Sequence, residues 1–306
     1  MRTCGWLWVF APTAMQCKRW TDGLSRSMQL SQAAKRDSDQ SGWEAQLSLR
    51  YRRRWQRSVL AERQQRGPLL VQRPFYPEGD EVAHTYLIHP PGGIVGGDRL
   101  RLDVTVERDA SVLLTTPSAT RWYYSDARSA QCHQQADVAA GATLEWLPQE
   151  SLFFDGAHAH LSTRIDLHGN GRFFGWEILG FGRPACAERY TSGVLDFRFE
   201  VYRDGVPLLI ERLRTRNGTP RGLQGHAASA TVIASGTNPQ MLSIARELCA
   251  QADDCLAAAT CVGELLICRG LAQHCAPLLA LCQQLWGALR PVQLARPSCP
   301  PRIWLT

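Results

Sequence analysis

The stretch that decides the fold is Trp43-Glu44-Ala45-Gln46-Leu47-Ser48-Leu49-Arg50-Tyr51, in which apolar and polar side chains alternate. A period of two places the apolar set on one face of an extended chain, which is typical of a half-buried β-strand. The same alternation returns in residues 100–106, 161–167 and 195–201. These repeats predict a mostly β protein, with a multi-stranded layered or helical β-sheet body that begins near residue 43.

Two short segments between alternating runs carry turn residues. Gly169-Asn170-Gly171 and Asp204-Gly205 both supply side chains that tolerate a positive φ. We therefore predict a hairpin turn at each of them.

Helical signals are confined to the last quarter of the chain. Asn238-Pro239 offers an N-cap followed by proline in the first turn, which predicts a helix over about residues 239–251. A strand is expected from Glu264 to Cys268. From Leu271 to Leu289 apolar residues recur with a period near 3.6, which predicts a second helix that ends before Pro291.

The domain organisation follows from where periodicity begins. Residues 1–40 are rich in polar residues and show no sustained period, so we expect an unstructured extension there. No linker-like segment interrupts the remainder, and residues 41–306 are predicted to form a single domain. Two α-helices are expected near its C-terminus.

Composition excludes several classes of function. The chain has 306 residues, of which 44% are apolar and 20% charged, as in an ordinary globular protein. Its only lysines are Lys18 and Lys35, so the predicted β body has none for a Walker A loop or a Schiff base. The sequence has no uninterrupted run of about 18 apolar residues, the length that a membrane helix needs. We expect a cytoplasmic protein with no membrane partner.

The positive charge of the chain, +6 overall, is concentrated towards its start. One interpretation is an RNA-binding patch on a β scaffold, formed by Arg50, Arg52, Arg53, Arg54 and Arg57. Alternate residues of a strand face opposite ways, however, and no aromatic stacking platform accompanies them. No nucleic-acid partner is therefore predicted.

Eleven cysteines are present without a CxxC pair, which argues against a zinc ribbon and against a thioredoxin-like redox site. Cys268, Cys275 and Cys282 recur every seven residues, and we interpret them as apolar core positions.

The densest motif is Leu87-Ile88-His89-Pro90-Pro91-Gly92-Gly93-Ile94-Val95-Gly96-Gly97-Asp98. It matches neither GxGxxG nor GxxxxGK[ST], so it is not read as a phosphate cradle. Glycine allows another chain or a ligand to approach the backbone closely. On local grounds we predict a rigid turn between two strands.

Candidate chemistry lies further along the chain. His158 and His160 share a face if that segment is extended and have Asp155 nearby, a weak metal-binding pattern for nickel or zinc. Exposed histidines without a ligand role are the alternative. Glu145, Glu150, Asp155 and Glu177 all fall in apolar or aromatic surroundings, which fits either satisfied structural positions or a polar path through the interior.

Five motifs in order resemble one known family. They are Gly67–Gly79, the His89–Asp98 segment, Leu113–Thr120, Leu147–Glu150 and Gly175–Glu177. This pattern resembles the UreD (UreH) family of urease accessory proteins from about residue 42 to the C-terminus, where Arg296–Trp304 is similar to the closing motif of the family. Residues 1–40 have no counterpart, which makes Met28 a candidate start.

The resemblance implies a non-catalytic maturation chaperone, a scaffold that binds apo-urease and recruits UreF-type and UreG-type accessory proteins. It implies assistance to nickel insertion, with transient Ni²⁺ and no tightly bound cofactor. Candidates for partner binding or for a metal conduit are Asp98, Glu150, Asp155 and Glu177. The alternative left open by the residues is a metal-dependent hydrolase that uses His158, His160 and a carboxylate to activate water.

Overall fold

The computed structural model describes residues 42–305, so the predicted extension over residues 1–40 lies outside the described residues. The strands of the described part are, in chain order, β1 (Glu44–Arg54), β2 (Arg57–Arg66), β3 (Leu70–Val71), β4 (Val82–Ile88), β5 (Arg99–Val106), β6 (Ser111–Thr115), β7 (Thr120–Trp122), β8 (Ala130–Val138), β9 (Thr143–Leu147), β10 (Ser151–Phe153), β11 (His158–Leu167), β12 (Arg172–Phe181), β13 (Val194–Arg203), β14 (Val206–Arg216), β15 (Ala228–Ser235), β16 (Leu256–Val262) and β17 (Leu265–Ala272). The helices are α1 (Pro239–Ala250) and α2 (Cys275–Leu294).

These strands form two sheets. A seven-stranded sheet has the order β14-β13-β11-β8-β5-β1-β2, and a ten-stranded sheet has the order β16-β17-β15-β12-β9-β6-β4-β3 with β10 and β7 attached. From β4 to β13 the long strands alternate between the two sheets, and within each sheet they pair in parallel. The body is therefore solenoid-like, and the predicted mostly β fold with two helices is confirmed.

The parallel register stacks equivalent residues of successive coils. Leu100, Cys132 and Leu161 form one inward-facing row, and Leu102, Gln134 and Thr163 form the next. The first row is apolar apart from its thiol, as the alternating sequence predicts. The second brings two polar side chains into the space between the sheets.

The two predicted hairpins have different outcomes. Asp204-Gly205 joins the antiparallel strands β13 and β14, with φ values of 47° and 80°, so this hairpin is confirmed. The prediction for Gly169-Asn170-Gly171 was wrong, because this turn carries the chain from β11 in one sheet to β12 in the other. A residue that permits positive φ serves a crossover as well as a hairpin, and local sequence does not distinguish them.

The first predicted helix is confirmed as α1, whose N-cap Asn238 accepts a hydrogen bond from the Met241 amide at 2.9 Å. The boundaries predicted for the second helix were wrong at both ends. Leu271 belongs to β17, and α2 continues through Pro291 to Leu294. Arg290 and Gln293, on either side of that proline, are held by buried hydrogen bonds, so tertiary contacts override its tendency to end a helix.

Two hydrophobic cores result. One fills the space between the sheets, and the other lies between the outer face of the ten-stranded sheet and the two helices. Cys268 and Cys282 are buried in the second core and Cys275 packs against it. Within residues 42–305 no helix is both long and apolar enough to cross a lipid bilayer.

Candidate functional site: a buried carboxylate between two cavities

A cavity of about 130 Å³ lies between the two sheets and opens at the glycine-rich loop. His89, Gly93 and Ile94 from that loop line its rim together with residues 116–120. Its inner wall includes Gln134, Trp146 and Glu177. The predicted turn does connect two strands, β4 and β5, and it also shapes the entrance to the interior.

The rim has a defined conformation because Asp98 fixes the loop. This carboxylate is 5% exposed and accepts hydrogen bonds from the Trp43 amide at 2.8 Å and the Val95 amide at 2.9 Å. Gly93 is required by close packing, since a Cβ there would lie 2.1 Å from the Tyr123 ring. Asp98 therefore positions the entrance and has both oxygens engaged by the backbone.

Glu177 is the buried acid of the cavity, and its side chain is 5% exposed. Its Oε1 atom accepts hydrogen bonds from the Thr163 hydroxyl at 2.8 Å and the Trp146 indole N–H at 3.1 Å. The Thr163 oxygen also lies 3.1 Å from Oε1 of Gln134. We call these four residues, Gln134, Trp146, Thr163 and Glu177, the Glu177 cluster.

Electrostatics set this carboxylate apart. Burial raises the pKa of Glu177 to about 7, and the hydrogen bonds from Thr163 and Trp146 only partly oppose that rise. No arginine or histidine of the described residues pairs with it. Near neutral pH the group therefore exchanges readily between its neutral and charged forms.

A second cavity, of about 160 Å³, borders Glu177 from the other side. Its lining includes Glu211, which accepts hydrogen bonds from the Thr231 hydroxyl and from Arg269, each at 2.9 Å. Thr231 lies opposite Glu177 in the β12–β15 register. Polar groups thus continue across the interior from one cavity to the next, and Glu177 lines both.

The remaining sequence-predicted residues lie elsewhere. Asp155 accepts hydrogen bonds at 2.7 Å from the backbone amides of Thr191 and Ser192, so its carboxylate anchors a turn. Its partial burial raises its pKa, but these hydrogen bonds outweigh burial and the pKa is lowered. Glu150 is partly buried near Cys275, whose thiol pKa is raised to about 12 by burial first and by this carboxylate second.

His158 and His160 are half-exposed on the outer face of β11, where they alternate with buried alanines. Within residues 42–305 no three histidine, cysteine or acidic side chains are grouped closely enough to hold a metal ion. The weak metal pattern predicted at these histidines therefore has no assembled ligand set in the described part of the chain.

Sequence reasoning singled out only Glu145 from a second buried polar group, which we call the Arg290 cluster: Glu78, His84, Glu145, Trp286 and Arg290. Arg290 is fully buried and donates to both oxygens of Glu145, at 2.8 and 2.9 Å, and to both oxygens of Glu78, at 2.8 and 2.7 Å. Trp286 also donates to Glu145, and His84 lies 2.6 Å from Glu78. An arginine among the leucines of a helix was the one available signal.

Comparison with known proteins decides the family. The model of the UreD urease accessory protein family matches residues 44–305. The chain belongs to the UreD family. A UreD protein of Alcanivorax borkumensis is 43% identical over 284 residues, which cover 90% of this chain and 96% of the relative.

Further relatives give the same result. Urease accessory protein UreD of Pseudomonas putida strain W619 is 43% identical over 91% of this chain and its own full length. The UreD protein of Azoarcus sp. strain BH72 is 44% identical over 87% of this chain and 95% of its own length. The resemblance read from the five motifs is confirmed, and UreD membership gives the chain a role in urease maturation.

Proposed function

We propose that this protein is a non-catalytic cytoplasmic scaffold that binds apo-urease together with UreF-type and UreG-type accessory proteins. We further propose that it guides Ni²⁺ between its two sheets, past Glu177, towards the urease active site. The observation that carries the second proposal is the position of Glu177. This buried carboxylate has no cationic partner among the described residues and lies between two internal cavities.

The ligand atoms of the Glu177 cluster suit brief contact with a passing nickel ion better than tight binding of that ion. Carboxylate, amide and hydroxyl oxygens are available from Glu177, Gln134 and Thr163. Oxygen ligands bind nickel less firmly than thiolates and imidazoles arranged in a closed site. A single carboxylate among neutral oxygens attracts a divalent cation without retaining it, which agrees with transient contact and no tightly bound cofactor.

The other proposed conduit acids take supporting roles in this scheme. Asp98 keeps the glycine-rich rim of the first cavity in place through its two backbone contacts. Asp155 secures the turn formed by Thr191 and Ser192. Glu150 lies between Gln149 and Ser151, which both line the first cavity, and is available for partner contact. His158 and His160 remain weak candidates for surface metal contact.

The decisive experiment uses Glu177→Gln, which keeps the volume of the side chain and removes its charge. The variant is isolated in complex with apo-urease and its accessory partners, and nickel is measured per urease active site after activation. We expect a normal amount of complex and reduced nickel. Glu200→Gln, on the outer face of β13, is the matched control and leaves nickel unchanged. Normal nickel in the Glu177→Gln complex would exclude this path.

A further inference from the structure

Strand β16 is an unusual edge. It lies at the end of the ten-stranded sheet and, among the strands of residues 42–305, pairs only with β17. Its sequence, Leu-Ala-Ala-Ala-Thr-Cys-Val, contains no charged residue and no proline. Every second residue is exposed, and the side chains of Leu256 and Val262 are 58% and 47% exposed.

The other sheet edges carry recognised protection against strand pairing. Strand β14 has Pro207 and three outward arginines, Arg212, Arg214 and Arg216, and a register shift interrupts its pairing with β13. Strand β2 is arginine-rich and has a similar shift, and β3 is only two residues long. Charges, prolines, bulges and short length are the usual means by which proteins keep edges from pairing. The residues of strand β16 supply none of them. Within the described part of the chain, its backbone receives one hydrogen bond from outside the sheet, at 3.4 Å from the exposed Arg246 side chain of α1 to the Ala259 carbonyl, which an incoming strand would replace.

We propose that β16 is a docking edge that accepts an extended segment of a partner protein by strand addition. In this mode the backbone of the segment bonds to the free edge and its alternate side chains cover Leu256 and Val262. Such a cover would continue the packing of the neighbouring strand. Leu265 in β17 belongs to the core between the sheets and Leu271 packs against that core, whereas their partners in β16, Val262 and Leu256, are exposed.

Charge selects the kind of partner. Asp253 and Asp254 are separated from β16 by Cys255 alone, are exposed, and form no ion pair with another described residue. At the other end Glu264 is already paired with Arg203. In an antiparallel pair of copies, the aspartates of each copy would lie beside the Glu264–Arg203 pair of the other and would gain no cationic partner. In a parallel pair, four aspartates would lie together and repel one another. We therefore commit to a different protein, whose segment has an uncharged apolar centre and basic residues at the flank beside Asp253 and Asp254.

The test uses synthetic peptides as probes for the full chain. Each has a central Thr-Val-Thr-Val-Thr-Val and a two-residue flank of lysines or of glutamates, placed at either end because the orientation is set by the experiment. Binding is followed by fluorescence anisotropy and the site by amide hydrogen exchange. We expect one lysine-flanked peptide to bind about tenfold more tightly than its glutamate counterpart and to protect residues 256–262.

Variants distinguish binding at the β16 edge from nonspecific binding of the peptides. Thr260→Lys places a charge on the edge strand and is expected to weaken binding about tenfold, while Val206→Lys on β14 leaves it unchanged. Asp253→Asn with Asp254→Asn removes the preference for lysine over glutamate flanks. Equal binding by Thr260→Lys, or no protection of residues 256–262, overturns the proposal. A concentration-dependent homodimer abolished by Thr260→Lys also overturns it, by assigning the edge to a second copy. None of these outcomes depends on the nickel path.

Discussion

The Arg290 cluster and the Glu177 cluster are both buried and polar, but they differ in how completely their charges are satisfied. In the Arg290 cluster one guanidinium bonds to all four oxygens of two carboxylates. In the Glu177 cluster both hydrogen bonds reach the same oxygen, and no cation is present among the described residues. The first cluster lies between helix α2 and the ten-stranded sheet, and the second lies between two cavities.

On this difference rests our proposal that the Arg290 cluster has a structural role and the Glu177 cluster a functional one. A buried network whose members are all paired fixes one arrangement of the elements it joins, here α2, β9 and the segment that contains Glu78. A buried acid without a counter-ion costs stability, and proteins keep such groups mainly at functional sites. The two clusters should therefore respond in opposite directions when a charge is removed.

The largest effect is expected for Arg290→Met, which leaves Glu78 and Glu145 buried without a cation. Breaking a buried ion pair in this way costs about 3–5 kcal/mol. The free energy of unfolding is measured by urea denaturation. Arg101→Met is the control, because Arg101 pairs with Asp103 on the exposed face and its loss costs less than about 1 kcal/mol. Similar losses for the two variants would show that the Arg290 cluster does not hold α2.

Glu78 offers a second test of the Arg290 cluster, through the loss of stability at low pH. Burial alone raises its pKa, but hydrogen bonds from His84 and Arg290 outweigh burial and lower the pKa to about 2. Since the unfolded value is near 4.5, this group stabilises the fold above about pH 4.5, and that contribution is lost as pH falls towards 2. It amounts to about 3 kcal/mol. We expect Glu78→Gln to flatten the acid limb of stability against pH, and an unchanged limb would contradict this.

The contribution of Glu177 to stability should change with pH in the opposite direction. Its pKa is raised from 4.5 to about 7, so the folded state holds a proton that the unfolded state has lost between those values. Stability therefore falls as pH rises from about 4.5 to 7 and is level above that range. Glu177→Gln removes this slope and is more stable than the parent at pH 8, by up to about 3 kcal/mol. Urea unfolding at several pH values measures it, with Glu200→Gln retaining the slope.

Much of the fold could be predicted because its signals are local. Alternation in residues 43–51 predicts β1, and Asn238-Pro239 predicts the start of α1. The turn at residues 169–171 was misread because local sequence does not tell which sheet the next strand joins. Pro291 was misread because hydrogen bonds from its neighbours to distant residues keep the helix intact.

The candidate site was less predictable. Glu177 stood out as an acid beside Trp176 in an apolar run. Its partner Thr163, and Gln134 which contacts Thr163, occupy ordinary alternating positions that meet only because of the register between coils. Glu145 was grouped with Glu177, although its partner Arg290 lies 145 residues away. A pattern in one segment cannot report which distant side chain neutralises a charge. The two kinds of buried acid therefore look alike in sequence.

The smallest and sharpest change is Thr163→Val, which keeps the shape of the side chain and removes the hydroxyl bonded to Glu177. That hydrogen bond lowers the pKa of Glu177, so its loss moves the pKa above about 7 and extends the stability slope to higher pH. The cost in stability is about 1 kcal/mol. Thr231→Val is the matched control, because its hydroxyl bonds to Glu211 instead.

Infrared titration of the protonated carboxyl band of Glu177, identified by its loss in Glu177→Gln, gives the pKa directly. If nickel must displace a proton from this group, Thr163→Val also shifts nickel transfer to urease towards higher pH, by the same amount as the pKa. Thr231→Val leaves both unchanged. A shifted pKa with an unshifted pH dependence of transfer would keep the electrostatic account of Glu177 and remove it from the path of the metal.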